Sequence, residues 1–225
     1  LANGKVDVVV QDAMPNIRLK VIQDGISISG ITEFHAKIDK VAGSIREIAE
    51  FGVEIVFIVT KACYLEDILP EIKQIYTPKM KVVSFQNGLG NERLIAEQLG
   101  IDTSYRVVIN YAGNLAGPGN AVMNWFQPPN YVGVFHKGKY STDDTTSNIA
   151  RLLSEAGLKT EESSDIKKHV WEKTILNAAL CSICGVTGQT MKDAMEFEPS
   201  RKLAIEILEE GLEVAQKDGY DFGSE

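Results

Sequence analysis

Cysteine, basic charge and long apolar runs are all scarce in this 225-residue chain. Three cysteines, Cys63, Cys181 and Cys184, are too few and too unevenly placed for a disulfide framework, which points to a reducing cytoplasm. No apolar run approaches the roughly 20 residues of a membrane-spanning helix. The longest candidate, residues 53–59, is interrupted by Glu54. Lysine and arginine number 23 against 31 aspartates and glutamates, a net charge of -8, whereas non-specific nucleic-acid binding needs a basic surface to displace counterions. Neither a membrane nor a nucleic acid is therefore expected as a partner. No signal peptide is expected from the residues read, and the chain opens on Leu1 rather than Met. Leu1-Ala2-Asn3-Gly4 reads as the end of a helix with its glycine stop, so the chain is expected to begin inside a fold.

What is present is an alternation of periods. Residues 6–10 form a nearly unbroken β-branched run, the mark of a strand covered on both faces. Residues 45–51 read as a short helix, 53–59 as a second buried strand and 64–76 as an amphipathic helix. A strand follows at 81–85, then a helix at Asn91–Leu99 stopped by Gly100, and a further strand at 106–111. Strands alternating with helices imply βαβ crossovers and a doubly wound, largely parallel sheet. From 121 to 135 the pattern changes to two short strands joined by Gln127-Pro128-Pro129-Asn130, which suggests an antiparallel hairpin. Residues 143–157 make one more helix. After Asp165 the strand signals stop, and 169–184 and 200–217 carry helical periodicity. The expected organisation is an α/β domain over 1–164 and an all-helical domain over 165–225.

Three segments could carry chemistry. Gln86-Asn87-Gly88-Leu89-Gly90-Asn91-Glu92 joins a buried strand to a helix, at the carboxyl edge where open α/β sheets bind ligands. Its glycines allow close backbone approach, and Asn87 offers both donors and acceptors. An ordinary tight turn explains the glycines equally well. Lys61, just past the strand at 53–59, could meet a phosphate or ribose there, or simply be an exposed lysine at a helix start. In the helix of 169–184, residues spaced by four place His169, Lys173, Asn177 and Cys181 on one polar stripe. The apolar residues around it, Trp171, Ile175, Leu176, Ala178, Ala179, Leu180 and Ile183, suggest a helix that is largely buried. A buried lysine is costly unless paired or used for proton transfer, and the alternative is a lysine that snorkels beside a structural asparagine. Cys181-Ser182-Ile183-Cys184 has Cys-x-x-Cys spacing, yet no second pair exists, and His35, His136 and His169 lack ligand spacing. No metal is expected, and two small apolar residues in a packed helix account for the cysteines better.

Taken together and in this order, these segments resemble the ketopantoate reductase family. The resemblance rests on Ser84-Phe85-Gln86-Asn87-Gly88-Leu89-Gly90-Asn91-Glu92, on Trp171-Glu172-Lys173 with Asn177 one turn later, and on Thr60-Lys61-Ala62 and Gly117-Pro118-Gly119. It extends over nearly the whole chain. It implies a Rossmann-type doubly wound sheet, here without its first strand and pyrophosphate grip, followed by a helical domain. It implies NAD(P)H-dependent reduction of ketopantoate, with Lys173 as general acid, Asn177 orienting the substrate, Asn87 between substrate and nicotinamide, and Lys61 on the cofactor. Two departures stand out. Cys181 occupies the place of a second substrate-binding asparagine, which would suit other branched or aromatic 2-keto acids, as in the D-mandelate dehydrogenases. Asp12, near the end of the family's second strand, would repel a 2′-phosphate and favours NAD, whereas most of the family uses NADP; Arg18 is the nearest base. The family's C-terminal serine and acidic residue have no counterpart in Ser224 or Glu225, around which no matching motif lies. A nucleotide sensor that has lost catalysis is the competing class, and an opine or sugar-nucleotide dehydrogenase would lack the Gln-Asn-Gly-Leu-Gly segment. The expected partners are a small 2-keto acid and, through the apolar helices after Asp165, a second copy of the chain.

Overall fold

The computed structural model describes residues 6–223. The helix end read at Leu1–Gly4 lies outside the described residues, as do Ser224 and Glu225. In chain order the elements are β1 (Val9–Gln11), α1 (Pro15–Asp24), β2 (Ile26–Gly30), β3 (Phe34–Ala36), β4 (Lys40–Ala42) and α2 (Ile45–Ile48, continued by a 3-10 turn at Ala49–Phe51). Then come β5 (Ile55–Ile58), a 3-10 turn at Ala62–Tyr64, α3 (Leu65–Ile75), β6 (Lys81–Ser84), α4 (Asn91–Leu99), β7 (Thr103–Val108), β8 (Tyr111–Gly117), β9 (Asn120–Phe126) and β10 (Asn130–His136). The chain closes with β11 (Lys139–Ser141), α5 (Asp144–Glu155), β12 (Thr160–Glu162), α6 (Ile166–Thr187), α7 (Met191–Glu196) and α8 (Glu198–Lys217).

The main sheet runs β11-β10-β7-β6-β5, with β12 on β10. Strands β5, β6 and β7 are parallel, and β10 adds antiparallel to β7. Consecutive residues of β6 show why the run is apolar throughout. Val82 packs with Ile45, Leu65, Leu69 and Ile95, from α2, α3 and α4, and Val83 with Ile149 and Leu153 of α5. Successive strand side chains point to opposite faces, so helices cover both sides of this sheet. At 1 % and 0 % exposure the two valines have no polar face to offer. Helix ends follow local chemistry as well: Asp143 caps α5 in a reciprocal capping box with Thr146, and Gly100 closes α4 in the left-handed conformation.

Three expectations are corrected. The strand read at 6–10 is shorter and shifted, to Val9–Gln11, and is half-buried rather than covered on both faces; among the described residues it pairs with β4 alone, in a separate two-stranded parallel sheet. The strand read at 106–111 is two strands, with Val108 ending β7 and Tyr111 opening β8. The hairpin expected over 121–135 is absent: β9 and β10 exist, but they lie in different sheets. β9 pairs with β8 and β2, in a four-stranded sheet ordered β3-β2-β9-β8, whereas β10 belongs to the main sheet. The true hairpin is β8–β9, turning at Pro118-Gly119.

The described chain divides into two compact units. The first runs up to Gln86 and from Gly90 to Ile166; the second comprises Asn87–Leu89 and Lys167–Glu225. Within the first, Gly133 of β10 admits the start of α6, since a Cβ there would lie 2.5 Å from Cβ of Ile166. The second has its own core: Trp171, Ile175 and Ala215 pack with Leu208, Tyr220 and Phe222, and Ile183 packs with Ala194 and Ala204. Gly211 of α8 lies against Ile175, which allows α6 and α8 to approach closely. The Trp171 indole N–H donates to Asp218 at 2.8 Å, and Lys167 pairs with the same carboxylate at 2.6 Å.

Candidate active site

The carboxyl edge of the main sheet opens where β5 and β6 end. Their register closes at Ile58 opposite Ser84, and the last backbone bond runs from Phe85 N to the Ile58 carbonyl at 3.0 Å. Beyond it one chain continues through Thr60-Lys61 into the 3-10 turn, and the other into the Gln86–Gly90 loop. Gln86 is buried, and its Nε2 donates to Thr60 Oγ1 at 3.2 Å and to the Lys61 carbonyl at 3.3 Å. Gly88 (φ 99°) and Gly90 (φ 80°) are both in conformations that a side chain disfavours, and open space lies where a Cβ would project. Asn87 and Lys61 are exposed.

The first unit also holds a buried charged cluster whose pairing has no signature among the three segments read from the sequence. Glu92, on the first turn of α4, faces Arg106 of β7 at 3.7 Å, and Tyr140 donates to the other carboxylate oxygen at 2.8 Å. Arg106 also donates to Ser84 Oγ at 3.3 Å, at the end of β6. Burial pulls the Arg106 guanidinium below its ordinary pKa, and the Glu92 charge opposes that shift. The signal available in the sequence was an arginine inside the apolar run Tyr105-Arg106-Val107-Val108, with an acid close to a helix start.

At the end of β1, Asp12 is half-buried and its carboxylate accepts from the Met14 N–H at 2.8 Å. Arg18 Nη1 donates to the carbonyls of Asp12 and Ala13 at 2.8 and 2.9 Å. Nearby, Glu47 accepts from the Gly43 N–H and the Ser44 hydroxyl, and these bonds, with the Arg18 charge, hold its carboxyl below the usual range. This strand end thus carries a guanidinium fixed over carbonyls with carboxylates on either side. The Asp12 carboxylate is of the acceptor type that ribose hydroxyls take and the Lys61 ammonium of the donor type that phosphates take, so in the first unit these two side chains fit a dinucleotide chemically.

In α6, Trp171, Ile175, Ala179 and Ile183, four apart, form one buried stripe, and Ile166 and Val170 are buried at the start of the helix. The helix is not largely buried, however, because apolar residues along it are open: Leu176 is 51 % and Val186 90 % exposed. Lys173 and Asn177 are half-buried, and Cys181 is exposed, which corrects the packed-helix account of that cysteine. The Cys181 thiol lies 3.8 Å from Asn177 Oδ1, one turn back, and donates to it. Lys173, Asn177 and Cys181 fall in the same compact unit as Asn87, whereas Asp12 and Lys61 fall in the other. Among the described residues no group of three or more His, Cys, Asp or Glu could hold a metal, and no helix is long and apolar enough to cross a membrane.

A mixed sheet with a parallel β5–β6–β7 core, helices on both its faces and a helical unit after it in sequence define the Rossmann-type class of dinucleotide-dependent oxidoreductases. Within that class the chain belongs to the ketopantoate reductase PanE/ApbA family: residues 1–137 match its first family model and 165–225 the model of its C-terminal part. The 2-dehydropantoate 2-reductases of Streptococcus pyogenes serotype M1 and Pyrococcus abyssi are each 24 % identical to it, over 97 % and 99 % of this chain and 69 % and 70 % of their own length. Among solved structures, the PanE/ApbA family ketopantoate reductase of Ralstonia eutropha JMP134 superposes with a TM-score of 0.83 at 19 % identity, over 98 % of this chain and 70 % of that one. D-mandelate dehydrogenase with NADH and anilino(oxo)acetate superposes at 0.77 with 20 % identity, over 97 % and 69 %. The family is one of NAD(P)H-dependent oxidoreductases acting on a keto group.

Proposed function

We propose that this protein reduces 2-dehydropantoate (ketopantoate) to (R)-pantoate, the reduction used in pantothenate biosynthesis, with NAD(P)H as reductant. The observation that carries the reading is the match of both family segments, in order, on a chain that has Asn87, Lys173 and Asn177 in one compact unit. The nicotinamide supplies the hydride when bound. Lys173 protonates the ketone oxygen and stabilises the alkoxide as it develops, and Asn177 orients the keto acid. Asn87 sits between substrate and nicotinamide, and Lys61 and Asp12 hold the cofactor. In this division of labour residues 1–164 bind the dinucleotide, and 165–225 supply the substrate side and a homodimer contact. Leu203, Ile205, Leu212 and Val214, exposed on α8, support that contact. The compartment that fits is the cytoplasm.

A second reading is favoured by Cys181. Its thiol donates to Asn177 Oδ1, which takes up acceptor capacity at a position where the family resemblance implies a further asparagine. A pocket with one amide fewer suits a less polar 2-keto acid, and D-mandelate dehydrogenase shares the fold. For the cofactor, NAD is the better fit: Asp12 is negative at the strand end, and Arg18 is already committed to two carbonyls.

The test is to assay the full-length protein with ketopantoate, 2-ketoisovalerate and phenylglyoxylate, each with NADH and NADPH. Turnover fastest with ketopantoate supports the first reading, and turnover fastest with phenylglyoxylate the second. Oxidation of neither cofactor with any of the three sinks both and favours a nucleotide sensor.

A further inference from the structure

The gap between the ends of β5 and β6 holds a buried carboxamide to which none of the roles above has been given. We propose that Gln86 is a positioning residue: by tying itself to Thr60 and Lys61 it sets the spacing of the two parted strand ends, and so the places of Lys61 and of the loop that carries Asn87. The proposal rests on the reductase reading for what those two residues meet, but the tie itself is geometric.

Ligands bind open α/β sheets where adjacent strands part at their carboxyl ends. Parting removes the backbone ladder that elsewhere fixes strand spacing, so something else must hold the gap. Here the ladder stops at the bond from Phe85 N to the Ile58 carbonyl, and the next cross-link is a side chain. Gln86, 4 % exposed, donates Nε2 to Thr60 Oγ1 and to the Lys61 carbonyl, at 3.2 and 3.3 Å. A carbonyl can only accept, so the amino end of the amide must face Lys61 and the oxygen must point away. Ser84 donates to that oxygen at 3.4 Å. The Lys61 carbonyl also accepts from Tyr64 N at 3.0 Å, which ties down the peptide that directly follows the Cα bearing the lysine side chain.

The loop's far end is held in the same way. Buried Asn91 donates Nδ2 to the Gln86 carbonyl at 3.4 Å. Residues 87–90 are thereby bracketed between two anchored amides, with left-handed glycines supplying the turn. These bonds are long for their kind, so they add little to stability. A residue selected for stability alone would be apolar here, as Val82 and Val83 are lower in the same strand, because a buried amide is costly unless its bonds are made. Geometry is what the amide supplies in return.

The experiment compares the full-length wild type with Gln86→Met, which keeps the volume and loses the donor, and with Thr60→Val, which removes one acceptor and leaves the Lys61 tie. Dissociation constants for NADH and NADPH, kcat and KM for the 2-keto acid, and the thermal midpoint are measured for each. Gln86→Met is expected to lose ~100-fold in kcat/KM, the scale set by an ångström of misplacement. Weaker dinucleotide binding and a nearly unchanged midpoint should accompany that loss, and Thr60→Val should fall in between. Wild-type kinetics and binding in Gln86→Met overturn the proposal, as do losses that vanish once corrected for the folded fraction. If Gln86→Met does not fold, Thr60→Val decides, and wild-type constants there overturn it. A wild type that binds a dinucleotide but reduces no keto acid removes the reductase reading and leaves the binding arm to decide the tie. A wild type that binds neither dinucleotide overturns both.

Discussion

Arg106 and Glu92 meet at 3.7 Å in the interior of the first unit, at 3 % and 1 % exposure. Desolvating two charges costs about as much as their attraction returns, so such a pair adds little net stability, but losing one partner strands the other. Glu92→Gln or Arg106→Leu alone should therefore destabilise by about 3–5 kcal/mol, and a double replacement of both by apolar residues should recover most of it. Urea unfolding of the two single variants and the double variant checks this. Equal and additive losses would show that the two residues are not coupled.

Replacing Lys173 by alanine should lower kcat by ~10²–10⁴-fold, the range for a lost general acid, with little change in dinucleotide affinity. Half-burial of Lys173 beside the apolar stripe of α6 predicts a small effect on folding. Steady-state kinetics with parallel cofactor titration separate the two effects. Parallel loss of turnover and cofactor binding would instead give Lys173 a structural role.

Cofactor choice should lie with Asp12. Asp12→Asn removes a negative charge and keeps an acceptor for the Met14 N–H, so NADPH affinity should rise while NADH affinity changes little. Fluorescence titration with both nucleotides reads the ratio. A wild type that already prefers NADPH contradicts the assignment.

Tyr105 gives a pH signature. Burial pushes its hydroxyl from 10.0 up to about 12, with the nearby Asp143 carboxylate adding to the shift. The folded state keeps this proton to higher pH than the unfolded chain does. The resulting stability is complete below about pH 10 and is lost as pH rises toward about 12. Urea midpoints between pH 9 and 11.5 should fall less steeply in Tyr105→Phe than in wild type; identical slopes would remove Tyr105 from the account.

The alternation of strands and helices was legible because burial on both faces leaves a strand no polar positions, as Val82 and Val83 illustrate. Partner choice was not. Residues 120–136 carry two strong strand signals, but periodicity records which face is apolar and not which neighbour completes the ladder, so β9 and β10 were joined wrongly. The segment from α1 to β3 escaped altogether, since Ile26-Ser27-Ile28-Ser29-Gly30 is short and half-polar. In α6 the apolar count overstated burial, because Leu176 and Ala178 lie off the Trp171–Ile175–Ala179–Ile183 stripe. Asn87, Lys61 and Lys173 were legible as candidates because each lies in a short motif. Gln86 lies in the same motif as Asn87, but the role of a buried amide shows only once its acceptors, Thr60 Oγ1 and the Lys61 carbonyl, are seen.

Assignment of Asn87–Leu89 to the helical unit has a practical consequence for dissecting the molecule. Three residues of that unit are threaded through the middle of the sheet's own sequence, with sheet residues on both sides. A single cut after Ile166 does not yield two self-contained pieces: the helical fragment would lack Asn87, and the sheet fragment would keep it without the partners it folds with. Expressing the halves separately and mixing them is thus a test of complementation, because the chain crosses between its units three times.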